Sequence, residues 1–184
     1  NGDVFRLGSG LTYTALAGPL LADFLPGLAQ AARTVGSPQI RNSGTLGGNL
    51  ATASPAGDTI PVLAALDAVV ELRSTEGHRE VPVTDFITGV KHNDLRPGEL
   101  IEAIRVPVAA GPQEFLKVGT RNAMVISVVS LAMVVDLSAR QVRVGLGAVS
   151  PAPERATEAE AFINGLINWD GPVLPEAATV DRFA

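Results

Sequence analysis

The sequence contains no cysteine among its 184 residues. That excludes a disulfide framework, a thiolate metal site and a cysteine nucleophile, and any iron–sulfur cluster that serves it must be held by another chain. Aromatics are scarce, with one Trp, one Tyr and six Phe, so little side-chain surface exists for stacking flat ligands. Charged residues make up only 18%, with a formal net charge of −5. A disordered chain would be rich in charge, and a nucleic-acid surface would need clustered Lys and Arg. Long hydrophobic runs are missing too. The stretch 124–137 is broken by Ser127, Ser130 and Asp136 and falls short of the roughly 20 residues a membrane span needs. No basic stretch precedes an apolar run at the start, so the expectation is a cytoplasmic protein with no secretory signal, membrane span or nucleic-acid partner.

What is present is a 46% hydrophobic content, enough for one large domain or two small ones. Residues 4–7 alternate as a short strand, and Thr12 can cap a helical turn over 12–17. From 20 to 33, Leu20, Leu21, Phe24, Leu25, Leu28, Ala31 and Ala32 form an apolar stripe at helical spacing, with Pro26 marking a kink or two abutting helices. Residues 58–66 read as a helix with Asp58 near its positive end. Strands are expected at 68–72, 79–83 and 100–106, the first two joined by a Thr75-Glu76-Gly77 turn, with a short helix or turn at 84–90. The small, uncharged segment 108–112 is the best boundary. Beyond it, 113–118, 125–137 and 142–149 have β character, and 155–163 is helical. The fold class expected is α+β, with parts at 1–110 and 111–184.

Residues 36–57 differ in kind. Gly36, Gly44, Gly47, Gly48 and Gly57 are interleaved with Ser37, Asn42, Ser43, Thr45, Asn49, Thr52 and Ser54, which leaves little to pack. Gly47-Gly48 lacks two Cβ atoms, so the backbone there can take positive φ and approach a ligand, with adjacent N–H groups forming an anion-binding concavity. Thr45, Asn49, Thr52 and Ser54 add neutral donors, and Asp58 offers acceptors suited to ligand hydroxyls. No basic cluster lies between Thr45 and Asp58, so phosphate charge would have to be met by main-chain N–H groups. A plain tight turn in a solvated loop explains the same spacing. Neither the G-x-G-x-x-G nor the G-x-x-x-x-G-K-[ST] fingerprint is present.

Ser37 to Asn42, Gly44-Thr45-Leu46-Gly47-Gly48-Asn49 and Ala53-Ser54-Pro55-Ala56-Gly57-Asp58 together resemble the FAD-binding medium subunit of molybdenum hydroxylases of the xanthine dehydrogenase and aerobic carbon monoxide dehydrogenase type. The likeness continues in order through Asp85-Phe86, Pro97-Gly98-Glu99-Leu100-Ile101, Phe115 to Arg121 and Val144 to Val149. It implies the second subdomain of a vanillyl-alcohol-oxidase-like FAD-binding domain, followed by a small C-terminal domain of β-sheet plus helices. It also implies non-covalent FAD. Thr45, Leu46, Gly47, Gly48 and Asn49 would hold the pyrophosphate and flank the flavin, with Thr52 and Ser54 nearby and Asp58 on ribityl or ribose hydroxyls. Ile101 and Lys117 would lie along the isoalloxazine, and Val35 near the adenine, where it cannot stack. No residue would act as acid, base or nucleophile, since the flavin carries the chemistry.

The partners implied are a large subunit with the molybdenum cofactor and a small subunit with 2Fe-2S clusters, in a dimer of heterotrimers. Electrons would pass through FAD to NAD or another acceptor. The family's earlier glycine-rich phosphate loop and its Arg-rich helical end have no counterpart here, so the sequence is expected to be part of a longer subunit. A docking module without flavin and a free-standing flavin oxidoreductase are the rival readings. For the remaining residues, Lys117 either points to water from an edge strand or is paired, because an interior lysine is costly alone. Arg121 is expected to pair with a carboxylate, and Glu158 and Glu160 to form a solvated helix face. His78 and His92 stand isolated in polar contexts and make no metal site. Trp169, before the turn signal Asp170-Gly171-Pro172, is expected to pack onto the C-terminal part.

Overall fold

The computed structural model describes residues 4–121 and 123–171; the opening residues 1–3 and Pro172 of the last turn signal lie outside them. Two four-stranded antiparallel sheets organise the chain. The first contains β1 (Val4–Gly8), β2 (Val69–Ser74), β3 (Gly77–Pro82) and β6 (Leu100–Pro107) in the order β1-β6-β2-β3. The second contains β7 (Gln113–Val118), β8 (Val129–Asp136), β9 (Gln141–Gly147) and β10 (Glu154–Arg155) in the order β10-β9-β8-β7. A short hairpin, β4 (Ile87–Gly89) with β5 (His92–Asn93), follows the one-turn helix α7 (Val83–Phe86), where a helix or turn alone was expected.

Six helices run between β1 and β2. Thr12 caps α1 (Tyr13–Leu16) by accepting the Ala15 N–H. The apolar stripe at 20–33 is divided between α2 (Pro19–Phe24) and α3 (Pro26–Thr34), because each begins with a proline at a position whose N–H has no helical partner. Leu21, Leu25, Leu28, Ala31 and Ala32 are buried, whereas Leu20 faces out and Phe24 leans on Phe5 with ring centroids 5.4 Å apart. Next come α4 (Pro38–Ser43), α5 (Leu46–Thr52) and α6 (Thr59–Ala65). Every residue of α6 is buried. It packs on β8, β9 and β10 of the second sheet and on α3, α5 and α7 beside the first. One hydrophobic core therefore runs from Val70, Leu72 and Ile104 through Val62 and Leu63 to Phe115, Ala132 and Val134.

The register of the second sheet shows how it meets α6. Phe115, Ala132 and Gly145 stand side by side across β7, β8 and β9 on the face toward the helix. A Cβ on Gly145 would sit 2.0 Å from the Pro61 carbonyl oxygen, so the backbones of sheet and helix touch there. On the opposite face, α8 (Thr157–Leu166) covers Val142 and Val144 with Ile163, and Trp169 packs onto the same cluster.

Glu160 of α8 departs from the solvated face expected of it. It is 8% exposed and accepts the Val144 N–H at 2.7 Å and the Arg155 guanidinium at 2.6 Å. A buried carboxylate needs such donors, and helical periodicity cannot show that β9 and β10 bring them. Arg155 and Arg143 also hold Asp67, at 2.6 and 2.7 Å, where the chain leaves α6 with φ +51°.

At the far edge of the first sheet, Arg79 donates to Glu99 through Nε (2.7 Å) and Nη2 (2.8 Å), and to Asp94 at 2.6 Å. These bonds fix the Pro97-Gly98-Glu99 turn, in which Gly98 takes φ +83°. The Arg79 hydrogen bonds, followed by the Arg96 N–H, lower the Glu99 carboxyl from 4.5 to about 2. A depressed carboxyl adds stability above its ordinary value and loses it as pH falls toward the folded-state value. Glu99→Gln is therefore expected to flatten the acid limb of the stability curve between about pH 4.5 and 2, read by urea unfolding at each pH. An unchanged limb would show that the turn does not need the charge.

A second expectation follows from the helix–sheet contact. Gly145→Ala should destabilise by about 3 kcal/mol, the upper end of the usual overpacking cost, since backbone must shift to admit the methyl group. Gly165→Ala, in α8 with nothing within 4 Å of the new Cβ, should stabilise by about 0.5–1 kcal/mol. Denaturant midpoints of the two variants would check both signs.

Candidate functional site

The glycine-rich stretch is not an irregular loop. Ser37 accepts the Ile40 N–H and Pro38 takes the first position of α4, while Thr45 accepts the Gly48 N–H at 3.0 Å and so opens α5. Gly47 and Gly48 are helical, and among the described glycines only Gly36, Gly77 and Gly98 have positive φ. The expectation of positive φ at the pair is thus corrected: a strong N-cap outweighs the low helix propensity of two glycines.

The two glycines differ in why they are glycine. A Cβ on Gly47 would lie 2.6 Å from Ser9 Cβ and 2.9 Å from Ser9 O, so that position allows β1's exit to pass against α5. Gly48 is exposed, and its added Cβ would meet only Thr45 Oγ1, at 3.0 Å. The main-chain donors expected to face an anion are engaged within the chain. Leu46 N–H donates to Leu11 O (2.9 Å), Gly47 N–H to Ser9 O (2.8 Å) and Asn49 N–H to Thr45 O (3.0 Å), with Gly48 N–H on the cap hydroxyl. A helix start docked on a neighbouring strand spends the donors that a loop would leave free. Two of the side chains are engaged as well: Asn49 Oδ1 accepts from Thr59 Oγ1 at 2.5 Å and Thr52 Oγ1 donates to Gly48 O at 2.7 Å, while the main-chain Ser54 O accepts the Gly57 N–H at 2.9 Å.

Asp58 stands at the N-cap position of α6, at the helix's positive end as expected, but its carboxylate makes no capping hydrogen bond. Its carboxylate is 4% exposed and accepts from Lys117 Nζ (2.6 Å), Thr34 Oγ1 (2.9 Å) and Ser127 Oγ (2.7 Å). Lys117 points inward from edge strand β7, beside Phe115, with its side chain only 9% exposed and a second bond to Thr34 O at 3.4 Å. Of its two open readings, pairing holds and the solvent-facing one is corrected. A carboxylate has about four lone-pair positions, so three donors leave Asp58 one to offer. Burial, and then the charge of Asp58, push the Tyr13 hydroxyl up to about 12.

Asp58 and Lys117 are therefore the site residues that the fold brings into contact. Val35 follows Thr34 at the end of α3, half-buried, with its carbonyl held by Arg41 Nη1 at 3.0 Å. Ile101 lies on β6, the strand against which α5 packs, opposite Leu72 of β2. Thr34 and Ser127 were missed in the sequence; each is an ordinary hydroxyl, and no spacing relates positions 34, 58, 117 and 127. Arg121 forms no carboxylate pair among the described residues; its Nε and Nη2 donate to Met124 O, because no acidic side chain lies on that segment.

Comparison with known proteins is consistent along the chain. Residues 1–109 match the family described as the FAD binding domain in molybdopterin dehydrogenase, and residues 114–180 the CO dehydrogenase flavoprotein C-terminal domain. The glyceraldehyde dehydrogenase medium chain of Sulfolobus acidocaldarius is 35% identical over 156 residues, covering 83% of this chain and 56% of that one. The nicotinate dehydrogenase FAD-subunit of Eubacterium barkeri is 37% identical over 141 residues, 73% of this chain and 48% of that one. The chain thus spans about half the length of these relatives. Among solved structures, quinoline 2-oxidoreductase from Pseudomonas putida 86 superposes with a TM-score of 0.84 at 26% identity, over 100% of this chain and 63% of that one. Reconstituted CO dehydrogenase from Oligotropha carboxidovorans gives 0.80 at 31% identity, over 88% of this chain and 58% of that one.

The buried pair makes a quantitative prediction. Asp58→Ala leaves the Lys117 charge buried and uncompensated, and should cost about 3–5 kcal/mol. Adding Lys117→Met should recover most of that loss. Urea unfolding of the wild type, both single variants and the double variant closes the cycle, and additive losses would mean that the two groups do not interact.

Proposed function

The chain belongs to the FAD-binding family of molybdopterin dehydrogenases, and we propose that it serves as the electron-transfer medium subunit of a molybdenum hydroxylase. The observation that carries this reading is Gly48. Glycine inside a helix costs about 1 kcal/mol relative to alanine, and at Gly47 the Ser9 contact explains the choice. At Gly48 the added Cβ would meet only the cap hydroxyl, Thr45 Oγ1, at 3.0 Å, a looser contact than that at Gly47, and a flat ligand lying against the exposed turn accounts for the glycine. The donor set fits the cofactor as well: Asp58 keeps one lone pair for a ribityl or ribose hydroxyl, and Lys117 is a fixed, largely buried cation.

FAD, when bound, supplies the exchange of electrons between two partners; the protein's contribution is position and charge. In this reading Thr45 to Asn49 lie along the dinucleotide with Gly48 as the open, side-chain-free point, Thr52 and Ser54 stand beside it, and Val35 and Ile101 would give apolar walls. Lys117 Nζ, held by Asp58, would set a fixed, hydrogen-bonding ammonium beside the flavin ring. Residues 1–110 would form the FAD-binding part and 111–184 the C-terminal part. Without cysteine the chain cannot ligate iron–sulfur clusters, so electrons would reach it from 2Fe-2S clusters on a small subunit, fed by a molybdenum-cofactor large subunit. A dimer of heterotrimers, a cytoplasmic location, and NAD or another small acceptor complete the proposal. No helix among the described residues is long and apolar enough to cross a membrane.

One observation favours the rival reading as a docking module without flavin: the N–H groups of Leu46 to Asn49 are all engaged inside the chain. Absorbance separates the two, since a flavin subunit is yellow. Gly48→Val should cut FAD affinity about ten- to a hundredfold while the protein stays folded, because its side chain would intrude on the ligand. Gly47→Val should instead lose the fold, because its side chain meets Ser9. Full flavin content in folded Gly48→Val would remove the turn from the cofactor site.

A further inference from the structure

Tyr13 is the one tyrosine of the sequence, and it lies in the core at 5% exposure. Its ring has no room to turn away. A Cβ on Gly44 would lie 2.7 Å from the Cε2 and 3.0 Å from the Cδ2 of Tyr13, so the ring rests on that glycine. The main chain is tied at the same place: Tyr13 N–H donates to Gly44 O at 3.1 Å, and Thr12 forms a bridge with Thr45, the cap of α5. On its other side α1 packs on α3, whose last turn supplies Thr34 to Asp58. A buried phenol ordinarily finds a partner for its hydroxyl. The Tyr13 hydroxyl has none among the described residues. Nor is it sealed in, since the enclosed polar atom left without a partner among those residues is Arg143 Nε. The side chain therefore opens to solvent at its one polar atom.

The charge acting on that hydroxyl is the carboxylate of Asp58, and burial holds its proton in place well above neutral pH, so it is a donor. Asp58 itself is unevenly occupied. Oδ2 accepts from both Lys117 and Thr34, whereas Oδ1 accepts from Ser127 alone, so the open lone pair belongs to Oδ1. A donor without an acceptor and an acceptor with an open lone pair thus stand near each other and make no bond together. A ligand hydroxyl satisfies both at once, because it accepts through its oxygen and donates through its own proton. An ionised phosphate has no proton for Asp58, and its charge would repel the carboxylate. We infer that Tyr13 donates a hydrogen bond to a ligand hydroxyl whose proton Asp58 Oδ1 accepts, which makes Tyr13 a specificity residue for the polyol part of the ligand. This rests on the flavin reading, in which the hydroxyl belongs to the ribityl chain or to the ribose. Spacing gave no sign of it, because Tyr13 reads there only as part of a helical turn.

Tyr13→Phe removes the hydroxyl and keeps the ring. Wild-type and variant enzyme, purified from their own cells and stripped of flavin, are titrated with FAD, riboflavin, adenosine and lumiflavin, the last carrying the flavin ring without hydroxyls. Tyr13→Phe should weaken FAD by at least about threefold and leave lumiflavin unchanged. A matching loss with riboflavin assigns the hydroxyl to the ribityl chain, and one with adenosine assigns it to the ribose. Without ligand, the variant should unfold at the wild-type urea midpoint or above it, because no bond within the fold is lost. A lowered midpoint would show that the hydroxyl is bonded inside the fold. That result, a smaller change in FAD affinity, a loss shared by lumiflavin, or a loss with neither riboflavin nor adenosine each overturns the inference and leaves the flavin reading standing. Wild-type enzyme that takes up no FAD overturns the flavin reading itself, and this inference with it.

Discussion

A buried carboxylate is tolerated only where donors converge on it, and the convergence on Asp58 sets the geometry of everything around it. Lys117 arrives from β7, Thr34 from the last turn of α3, and Ser127 from the segment between β7 and β8. Four separate pieces of chain are thereby held at one point ahead of α6. Moving any of them would strand a charge or a hydroxyl in a place with little water. The pair is at once a fold constraint and the most polar feature of the candidate cofactor site, so its two roles cannot be varied separately.

The second constraint is the absence of side chain where backbones meet. Gly145 lets β9 rest on the Pro61 carbonyl, and Gly47 lets α5 rest on Ser9. These contacts bring the two sheets onto a helix that is buried along its whole length. Gly48, one residue from Gly47, has no such neighbour. Glycines adjacent in sequence therefore answer different demands, one internal to the fold and one facing outward, and only the outward one is open to a ligand.

Charge is distributed by the same logic. Arg143 and Arg155 are consumed in holding Asp67, Asp136 and Glu160, which ties the exit of α6 to the second sheet. Arg33, Arg41 and Arg121 are not consumed, and they share one cleft. A net negative protein thus keeps a locally positive groove, which steers anions toward it in a salt-dependent way.

Local physics was legible without coordinates. The alternating strands, the apolar stripe divided at Pro26, the Thr12 cap and the break at 108–112 all follow from short-range spacing and proline stereochemistry. Motifs carried the family resemblance, since Thr45 to Asn49 and Ser54 to Asp58 are contiguous. Side-chain partnership was not legible in the same way. The burial of Glu160, the three donors on Asp58 and the carboxylate-free arginines each depend on residues far away in sequence. A hydrogen bond or an uncompensated charge is a relation between groups in space. Composition and periodicity report only what each group is, so the fold class and the family motif belonged to the sequence, while the conformation of the glycine pair and the partners of its donors and acceptors were decided by the tertiary structure.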